Sequence, residues 1–337
     1  CQKNELEPSP IQKDEVVNLI IDTDMGNSTD DLLAVQAAFK LQSLGRCKVL
    51  ALMGSRGKNA VQRFNDGILH YYHADDVPLG ITKGEESFFE IVPYYKIADE
   101  LKEDGSPLLS GTGIPIEDRL ESPKLYRKIL GEMPDHSVTI SCIGFATNLG
   151  VLMDSKPDEY SPLDGMELIR RKVKCLNIMG CCFAKVKQRY SEELLDVEYN
   201  VSGNIPLAQK VYENWPGKMC VFPIEGGLCF PSNHNQVLSD YAWQPDNPMY
   251  LVYSRYDEWA TGDLGQYWWD VITMLHAILG EETFNCTESG TITIDDEGHS
   301  FFTPDADGNA HIISLAATQL LDVYEYLRTL SSFNPDR

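Results

Sequence analysis

The fold is decided by the segment Val16-Val17-Asn18-Leu19-Ile20-Ile21-Asp22-Thr23-Asp24-Met25-Gly26-Asn27-Ser28-Thr29-Asp30-Asp31-Leu32-Leu33-Ala34. Five of its first six residues are apolar and most of these are β-branched, which is typical of a buried strand. Ser28 is the predicted N-cap of a helix that begins at Thr29. A strand end and a helix start therefore bring four carboxylates into one turn: Asp22, Asp24, Asp30 and Asp31.

Two explanations are available for these four acids. Acids in a first helical turn favour the positive end of the helix dipole, which explains Asp30 and Asp31. That effect does not explain Asp22 and Asp24 at the end of a buried strand, where repulsion is costly unless a cation is present. Clustered carboxylates suit a hard divalent cation such as Ca²⁺ or Mg²⁺. The sequence therefore favours a metal site over a solvated, capped turn.

The chain has 337 residues, of which 43% are hydrophobic, and a formal net charge of −23. This length suits one large α/β domain or two smaller ones. No apolar run is long enough to cross a bilayer. Because the negative charge opposes contact with a phosphate backbone, a small molecule is a better prediction for the partner than a nucleic acid polymer.

The nine cysteines show no recognisable metal-binding spacing. Most lie in or beside apolar, strand-like runs, so buried free thiols are expected and a disulfide stays open. Cys1 differs, because a polar segment, Gln2 to Asp14, follows it, and residues 1–14 are predicted to form a disordered tether. A chain beginning at Cys resembles a mature bacterial lipoprotein, although a sequence boundary falling there by chance is the alternative. The resemblance predicts lipid attachment at Cys1 and a periplasmic or cell-surface, membrane-tethered protein.

Strand-like and helix-like segments alternate over residues 15–337, which predicts a single α/β domain. We expect a mainly parallel, Rossmann-like central sheet with helices on both faces. Pro231 to Asp263 is expected to be irregular. A small antiparallel element is predicted near the C-terminus, from Thr291–Ile294, Ser300–Thr303 and Ala310–Ile313. The main strands are expected at Val16–Ile21, Lys48–Met53, Ser137–Ile143, Val173–Met179 and Val221–Ile224.

In such a sheet the loops that follow the strands lie at one edge, where ligands bind. We therefore expect the loops Asp22–Asp31, Gly54–Gly57 and Gly144–Asn148 to converge. Asp270, near the start of the predicted helix Tyr267–Leu279, would join them. Taken alone, Asp270 is explained equally well as another first-turn carboxylate.

These residues resemble the inosine/uridine-preferring nucleoside hydrolase family. The pattern Asp22-x-Asp24-x-Gly26, followed by Asp30-Asp31 and an apolar helix, is similar to the family's fingerprint with the longer spacing of its divergent members. The resemblance covers about Val16 to Leu279 and implies a nucleoside hydrolase-like fold. Further segments that carry it are Ile143–Leu149, Lys174–Phe183, Glu198-Tyr199-Asn200 and Trp269-Asp270.

The resemblance implies hydrolysis of the N-glycosidic bond of a nucleoside or related N-riboside, with Ca²⁺ as cofactor. Such cleavage passes through a sugar with oxocarbenium character. It also implies dimers or tetramers. The implied metal ligands are the carboxylates of Asp24, Asp31 and Asp270 and the backbone carbonyl of Thr147, with Asp24 also acting as the base toward water. Asp30, Glu198 and Asn200 would hold the ribose hydroxyls, and Asp22 would support the site from behind.

Two substrate-binding positions depart from the family pattern. Trp269 stands where the family commonly has a histidine that assists the departing base, and an indole stacks on a heterocycle but is not a general acid. Ser55 stands where an asparagine usually contacts the substrate. The nucleobase and the leaving-group acid therefore stay open; the candidates for the acid are His234, His276, Tyr256 and Tyr267. Arg56, close to the proposed site, is expected to be a solvated surface residue.

Two alternatives follow from these departures and from the first motif. A catalytically impaired protein that binds ribose or nucleosides would keep the metal and the pocket. A haloacid dehalogenase-type phosphatase would use Asp22 as the nucleophile with Mg²⁺. The second alternative is disfavoured because Gly26 stands where that motif has Thr or Val, and because it leaves Asp30, Asp31 and Glu198 unexplained.

Overall fold

A computed structural model describes residues 16–26, 28–83, 93–187, 194–255, 267–280 and 284–332. The predicted tether with Cys1 and the candidate acid Tyr256 lie outside these residues, so lipid attachment stays a prediction. Within the described ranges, no helix combines the length and the apolar character needed to span a membrane.

A ten-stranded sheet forms the centre of the molecule, in the order β11-β10-β12-β8-β5-β4-β1-β2-β3 with β9 paired to β12. The strands are β1 Val17–Thr23, β2 Cys47–Gly54, β3 Leu79–Gly80, β4 Val138–Cys142, β5 Val173–Met179, β6 Val186–Lys187, β7 Leu194–Leu195, β8 Met219–Phe222, β9 Asn285–Cys286, β10 Gly290–Ile294, β11 Ser300–Pro304 and β12 Ala310–Ser314. Of these, β6 and β7 form a separate two-stranded sheet. Every pairing from β12 to β3 in this order is parallel, whereas β10 is antiparallel to β11 and β12. The predicted sheet, with its antiparallel C-terminal element, is confirmed.

Helices cover both faces of the sheet. They are α1 Asp30–Ser43, α2 Asn59–Tyr71, α3 Ser122–Glu132, α4 Thr147–Asp154, α5 Gly165–Lys172, α6 Tyr199–Ser202, α7 Ile205–Asn214, α8 Ile224–Gly227, α9 His234–Tyr241, α10 Pro248–Arg255, α11 Asp270–Leu279 and α12 Ala317–Ser332. Successive strand side chains point to opposite faces. Leu19 and Ile21 therefore pack into one apolar cluster with α1 and α11, while Ile20 packs into another with α3 and α4. The expected two-sided covering is confirmed.

The prediction that Pro231 to Asp263 is irregular was wrong, because α9 and α10 occupy much of this range. The Asn233 side chain accepts the Gln236 N–H at 3.0 Å and caps α9. The Asn247 side chain accepts the Met249 N–H at 2.9 Å at the start of α10. These two asparagines were the sequence signals for the missed helices.

Two smaller expectations also need correction. The N-cap of α1 is Thr29, not Ser28, and the helix begins at Asp30. The Ser28 hydroxyl instead donates a hydrogen bond to the Asp30 carboxylate. The segment Ala310–Ile313 is more than part of an antiparallel element, because β12 also pairs in parallel with β8 and so extends the main sheet.

Candidate active site

The three loops expected to converge lie together at the carboxyl edge of the sheet. The Asn148 side-chain amide donates to the Asp22 carboxylate at 3.0 Å and to the Gly54 carbonyl at 3.2 Å. The Ser55 N–H donates to the Thr23 carbonyl at 2.9 Å. The loops after β1, β2 and β4 are thus tied to one another, and their predicted convergence is confirmed.

Two glycines allow the chain to approach closely at this edge. A Cβ on Gly144 would lie 2.3 Å from the backbone nitrogen of Asp24, so only glycine lets the loop after β4 pack against the first motif. Gly26 has a φ of +121°, in the region that favours glycine. Its N–H donates to the Tyr94 hydroxyl at 3.0 Å, which holds the turn between β1 and α1.

A buried carboxylate cluster forms where these loops meet the start of α11. Oxygens of Asp30, Asp31 and Asp270 all lie within 4.8 Å of one another, and all three residues are buried. Asp24 is also buried, and its negative charge raises the pKa of Asp31, Asp270 and Glu198. The first motif, the late acid and the Glu198 segment therefore share one electrostatic site.

Burial is the main cause of the raised pKa values in this cluster. It raises the pKa of Asp22 and of Glu198 to about 7, and that of Asp31 and Asp270 well above the usual range. Repulsion between neighbouring carboxylates adds to the effect. A divalent cation among these oxygens would keep them ionised, so this donor set fits a hard cation such as Ca²⁺ or Mg²⁺.

Arg56 adds a positive charge to the site. The residue is only 1% exposed, so the expectation that it is solvated was wrong. Its charge lowers the pKa of Asp31, opposing the larger effect of burial. Asp31 also accepts a hydrogen bond from the Thr23 hydroxyl. The chain therefore supplies part of the charge that offsets its own carboxylates.

Asp30 makes a contact that sequence reasoning missed. One carboxylate oxygen accepts the backbone N–H groups of Trp269 at 3.0 Å and Asp270 at 3.1 Å, so it caps the start of α11. The capped residues lie about 240 positions away in the sequence, and no local pattern reports such a contact. The contact fixes the start of α1 against the start of α11. The predicted ribose-binding role of Asp30 stays a prediction.

Glu198 and Asn200 lie at the start of α6. The buried Glu198 carboxylate accepts the N–H groups of Asn200 and Val201, each at 2.9 Å. The Asn200 side-chain amide donates to the Met179 carbonyl at 3.4 Å, at the end of β5. Thr147, whose carbonyl is a predicted metal ligand, is the first residue of α4 and is half-buried. The roles of these residues stay predictions.

The two residues that depart from the family pattern have their polar atoms engaged. The Trp269 indole N–H donates to the Ile224 carbonyl at 2.8 Å, and its ring centroid lies 5.1 Å from that of Tyr267. The buried Ser55 hydroxyl donates to the Thr23 carbonyl at 3.1 Å. Asp22 is fully buried and accepts a hydrogen bond from the Tyr126 hydroxyl at 2.9 Å.

The two histidine candidates for the leaving-group acid lie in different places. The His234 ring centroid is 5.2 Å from that of Tyr253, whose hydroxyl lies 2.8 Å from the Thr29 hydroxyl beside the acid cluster. His276 instead lies in the second half of α11, with its Nδ1 2.5 Å from the Asn177 amide oxygen. Tyr253 was missed because it belongs to a helix that the sequence did not predict.

The structure is similar to solved nucleoside hydrolases over almost the whole chain. An inosine-uridine preferring nucleoside hydrolase from Bacillus anthracis superposes with a TM-score of 0.67 at 14% identity, covering 94% of this chain and 99% of that one. A plant nucleoside hydrolase gives 0.71 at 18% identity, covering 95% and 100%. This chain has the nucleoside hydrolase fold.

The same fold occurs in the type III effector protein XopQ, solved in complex with adenosine diphosphate ribose. That structure has a TM-score of 0.65 at 13% identity and covers 96% of this chain and 95% of its own. No protein-family model matches the sequence, and no curated protein matches it. The implied fold is confirmed at low identity, which is the divergence that the altered motif spacing indicated.

Proposed function

We propose that this protein is a Ca²⁺-dependent hydrolase that cleaves the N-glycosidic bond of a nucleoside or related N-riboside. The observation that carries the proposal is the buried carboxylate cluster at the carboxyl edge of the sheet. It lies where α/β sheets bind ligands, in a fold shared with solved nucleoside hydrolases. A cluster of this kind is costly without a cation.

The carboxylates of Asp24, Asp31 and Asp270, with the carbonyl of Thr147, would hold the cation. When bound, Ca²⁺ supplies a Lewis acid that orients the sugar hydroxyls and eases deprotonation of water. Asp24 accepts the proton of the attacking water as the general base. The negative site also stabilises the positive charge that develops on the sugar as the bond to the base breaks.

The remaining residues position the substrate. Glu198 and Asn200 are fixed by α6 and the end of β5, and they orient the ribose hydroxyls together with Asp30. Trp269 offers an aromatic face for the base. Because an indole is not a general acid, the proton for the departing base has to come from another group or from water.

The test measures release of free ribose from a panel of purine and pyrimidine nucleosides, with added Ca²⁺ and with a chelator. We expect turnover that needs Ca²⁺ and falls by about 10²–10⁴-fold in Asp24→Asn, the range for removing a general base. Asp307→Asn is the matched control, because Asp307 is an exposed carboxylate that is not part of the buried cluster, and this variant should keep full activity. Absence of turnover on every nucleoside, in folded protein that binds Ca²⁺, would refute the hydrolase proposal.

The second candidate is a binding protein without useful catalysis. The presence of Trp269 at the position that commonly assists the leaving group favours it, because an indole is not a general acid and its N–H donates to the Ile224 carbonyl at 2.8 Å. Calorimetry that finds tight binding of a nucleoside, ribose or adenosine diphosphate ribose, with no hydrolysis over days, would support this candidate. Turnover that Asp24→Asn abolishes would reject it.

The lipid anchor at Cys1 and the homo-oligomer remain proposals that rest on resemblance. Mass spectrometry of the protein isolated from its native membrane tests the anchor. An acylated N-terminal Cys1 peptide is the expected result, and an unmodified peptide would contradict it. Light scattering tests the oligomer, for which a dimer or tetramer is expected.

A further inference from the structure

We propose that the protein carries a second metal site, a structural Zn²⁺ site formed by Cys175, Cys220, Cys286 and His276. These residues come from β5, β8, β9 and α11 and take no part in the proposed hydrolysis. Three thiolates and one imidazole form one of the ligand sets that structural zinc sites use. Thiolate and imidazole ligands suit Zn²⁺, whereas the oxygen ligands of the carboxylate cluster suit a hard cation.

Three of the four proposed ligands already form one group, and the Cys175 sulfur lies beside Cys220. Atoms of Cys220, Cys286 and His276 all lie within 4.8 Å of one another. The Cys175 and Cys220 sulfurs are 3.8 Å apart, and the Cys286 sulfur is 3.5 Å from Nε2 of His276. A tetrahedral Zn²⁺ with bonds of about 2.3 Å to sulfur and 2.0–2.1 Å to nitrogen requires edges of about 3.8 Å and 3.6 Å. The sulfur–sulfur distance of 3.8 Å and the sulfur–nitrogen distance of 3.5 Å are close to these two edges.

The orientation of His276 also suits a ligand. Its Nδ1 donates to the buried Asn177 amide oxygen at 2.5 Å, which leaves Nε2 facing the sulfurs with its lone pair. Metal-binding histidines usually have their other ring nitrogen fixed in this way. Asn177 is opposite Cys220 in the pairing of β5 with β8. The sheet register therefore places the hydrogen-bond partner of His276 beside the proposed ligand Cys220.

Two of the proposed ligands are buried, and a positive charge lies near one of them. Cys220 is fully buried and His276 is 4% exposed. Zn²⁺ would bind the thiolates, so its binding would release the thiol protons. Lys218 places a positive charge near Cys220, where it would offset the net negative charge of three thiolates around Zn²⁺.

The site would connect to the carboxylate cluster through one helix. His276 lies six residues after Asp270 on α11, about 9 Å along the helix axis. A metal bridging His276 to three strands would fix α11 on the sheet and so hold Asp270 in place. The sequence conceals the ligand set because each ligand comes from a different element and the cysteines lie in no short Cys-x-x-Cys pair.

The first test measures the zinc content of the full chain, produced with zinc in the medium and dialysed extensively. We expect about one equivalent of Zn²⁺ per chain, and loss of most of it in Cys220→Ser and Cys286→Ser. Cys47→Ser is the matched control, because Cys47 is a buried thiol outside the cluster. Asp31→Asn is the second control and should keep its zinc, because it alters only the carboxylate cluster.

The second test needs no variant, so it stands even if a substituted protein fails to fold. Replacement of the metal by Co²⁺ in the reduced wild-type protein should give a thiolate-to-cobalt charge-transfer band and the visible bands of tetrahedral cobalt. Zinc-free protein that develops neither band would overturn the proposal. So would a disulfide between Cys175 and Cys220 in the isolated protein, or zinc that is lost in Asp31→Asn and retained in both cysteine variants.

Discussion

Arg56 is the single residue whose burial most changes the expectation for the site. It lies at the carboxyl end of β2, is almost fully buried, and lowers the pKa of Asp31. Its charge repels any cation held by Asp31. Arg56 therefore offsets the charge of the carboxylates when no metal is bound, and it weakens the binding of the metal. We predict that Arg56→Gln binds Ca²⁺ on the order of tenfold more tightly, as measured by calorimetry.

The matched control is Arg63→Gln, because Arg63 is half-exposed and pairs with Asp99 away from the cluster. Its Ca²⁺ affinity should equal that of the wild type. In metal-free protein Arg56→Gln should also unfold at lower temperature than Arg63→Gln, because a buried positive charge that offsets carboxylates is lost. Weaker Ca²⁺ binding in Arg56→Gln would contradict the electrostatic argument and assign Arg56 a role in positioning the ligands.

At the scale of elements, Asp30 joins α1 to α11 through the N–H groups of Trp269 and Asp270. Asp30→Asn and Asp30→Ala remove the same negative charge, but only asparagine keeps an oxygen that can cap α11. We therefore predict that Asp30→Ala is about 1 kcal/mol less stable than Asp30→Asn in metal-free protein, as measured by urea denaturation. Equal stability of the two variants would show that capping does not hold α11.

The contact between α8 and Trp269 provides a second test at this scale. A Cβ on Gly227 would lie 1.8 Å from Cδ1 of Trp269, so Gly227→Ala has to displace the indole from the Ile224 carbonyl. We predict a loss of about 1–3 kcal/mol in the free energy of unfolding and a raised KM for nucleosides. Gly217→Ala is the control, because its Cβ would meet only one atom, at 3.9 Å. An unchanged KM in Gly227→Ala would argue against stacking of the base on Trp269.

The elements that the sequence predicted are those with a strong local signal. The strands β1, β4 and β5 are short, mostly apolar and mostly buried, so their composition identifies them. For the helices α9 and α10, the capping residues Asn233 and Asn247 are the main sequence evidence. The spacing of apolar residues in these two segments indicates a helix only weakly. The parallel partner of β12 could not be predicted, because pairing with β8 depends on distant contacts.

The candidate site also has a part that the sequence predicted and a part that depends on distant contacts. The acids of the first motif and Asp270 were predicted because their chain positions imply one edge of a parallel sheet. The capping of α11 by Asp30, the burial of Arg56 and the thiol cluster were not, because each depends on residues from separate elements meeting in space. Sequence order therefore predicted the sheet edge at which these acids meet, and tertiary contacts determine the partners of each side chain.

At the scale of the whole molecule, the carboxylate cluster links stability to pH and to the cation. The pKa values of Asp22 and Glu198 are raised to about 7, above their ordinary values near 4. Between these limits the folded metal-free protein therefore binds more protons than the unfolded chain. Its stability then falls as pH rises, because the slope follows the difference in bound protons. A bound cation reverses this trend, since it keeps the carboxylates ionised and competes with protons.

We accordingly predict that saturating Ca²⁺ raises the melting temperature more at about pH 7.5 than at about pH 5, by roughly 5 °C or more. Differential scanning fluorimetry at constant ionic strength measures both increments, in protein whose zinc content is held constant. Asp31→Asn removes a proposed ligand, and both increments should shrink in it, whereas Asp307→Asn should match the wild type. Equal Ca²⁺ increments at the two pH values would mean that the buried acids do not bind the cation, because a cation held by ionised carboxylates has to displace more protons at the lower pH.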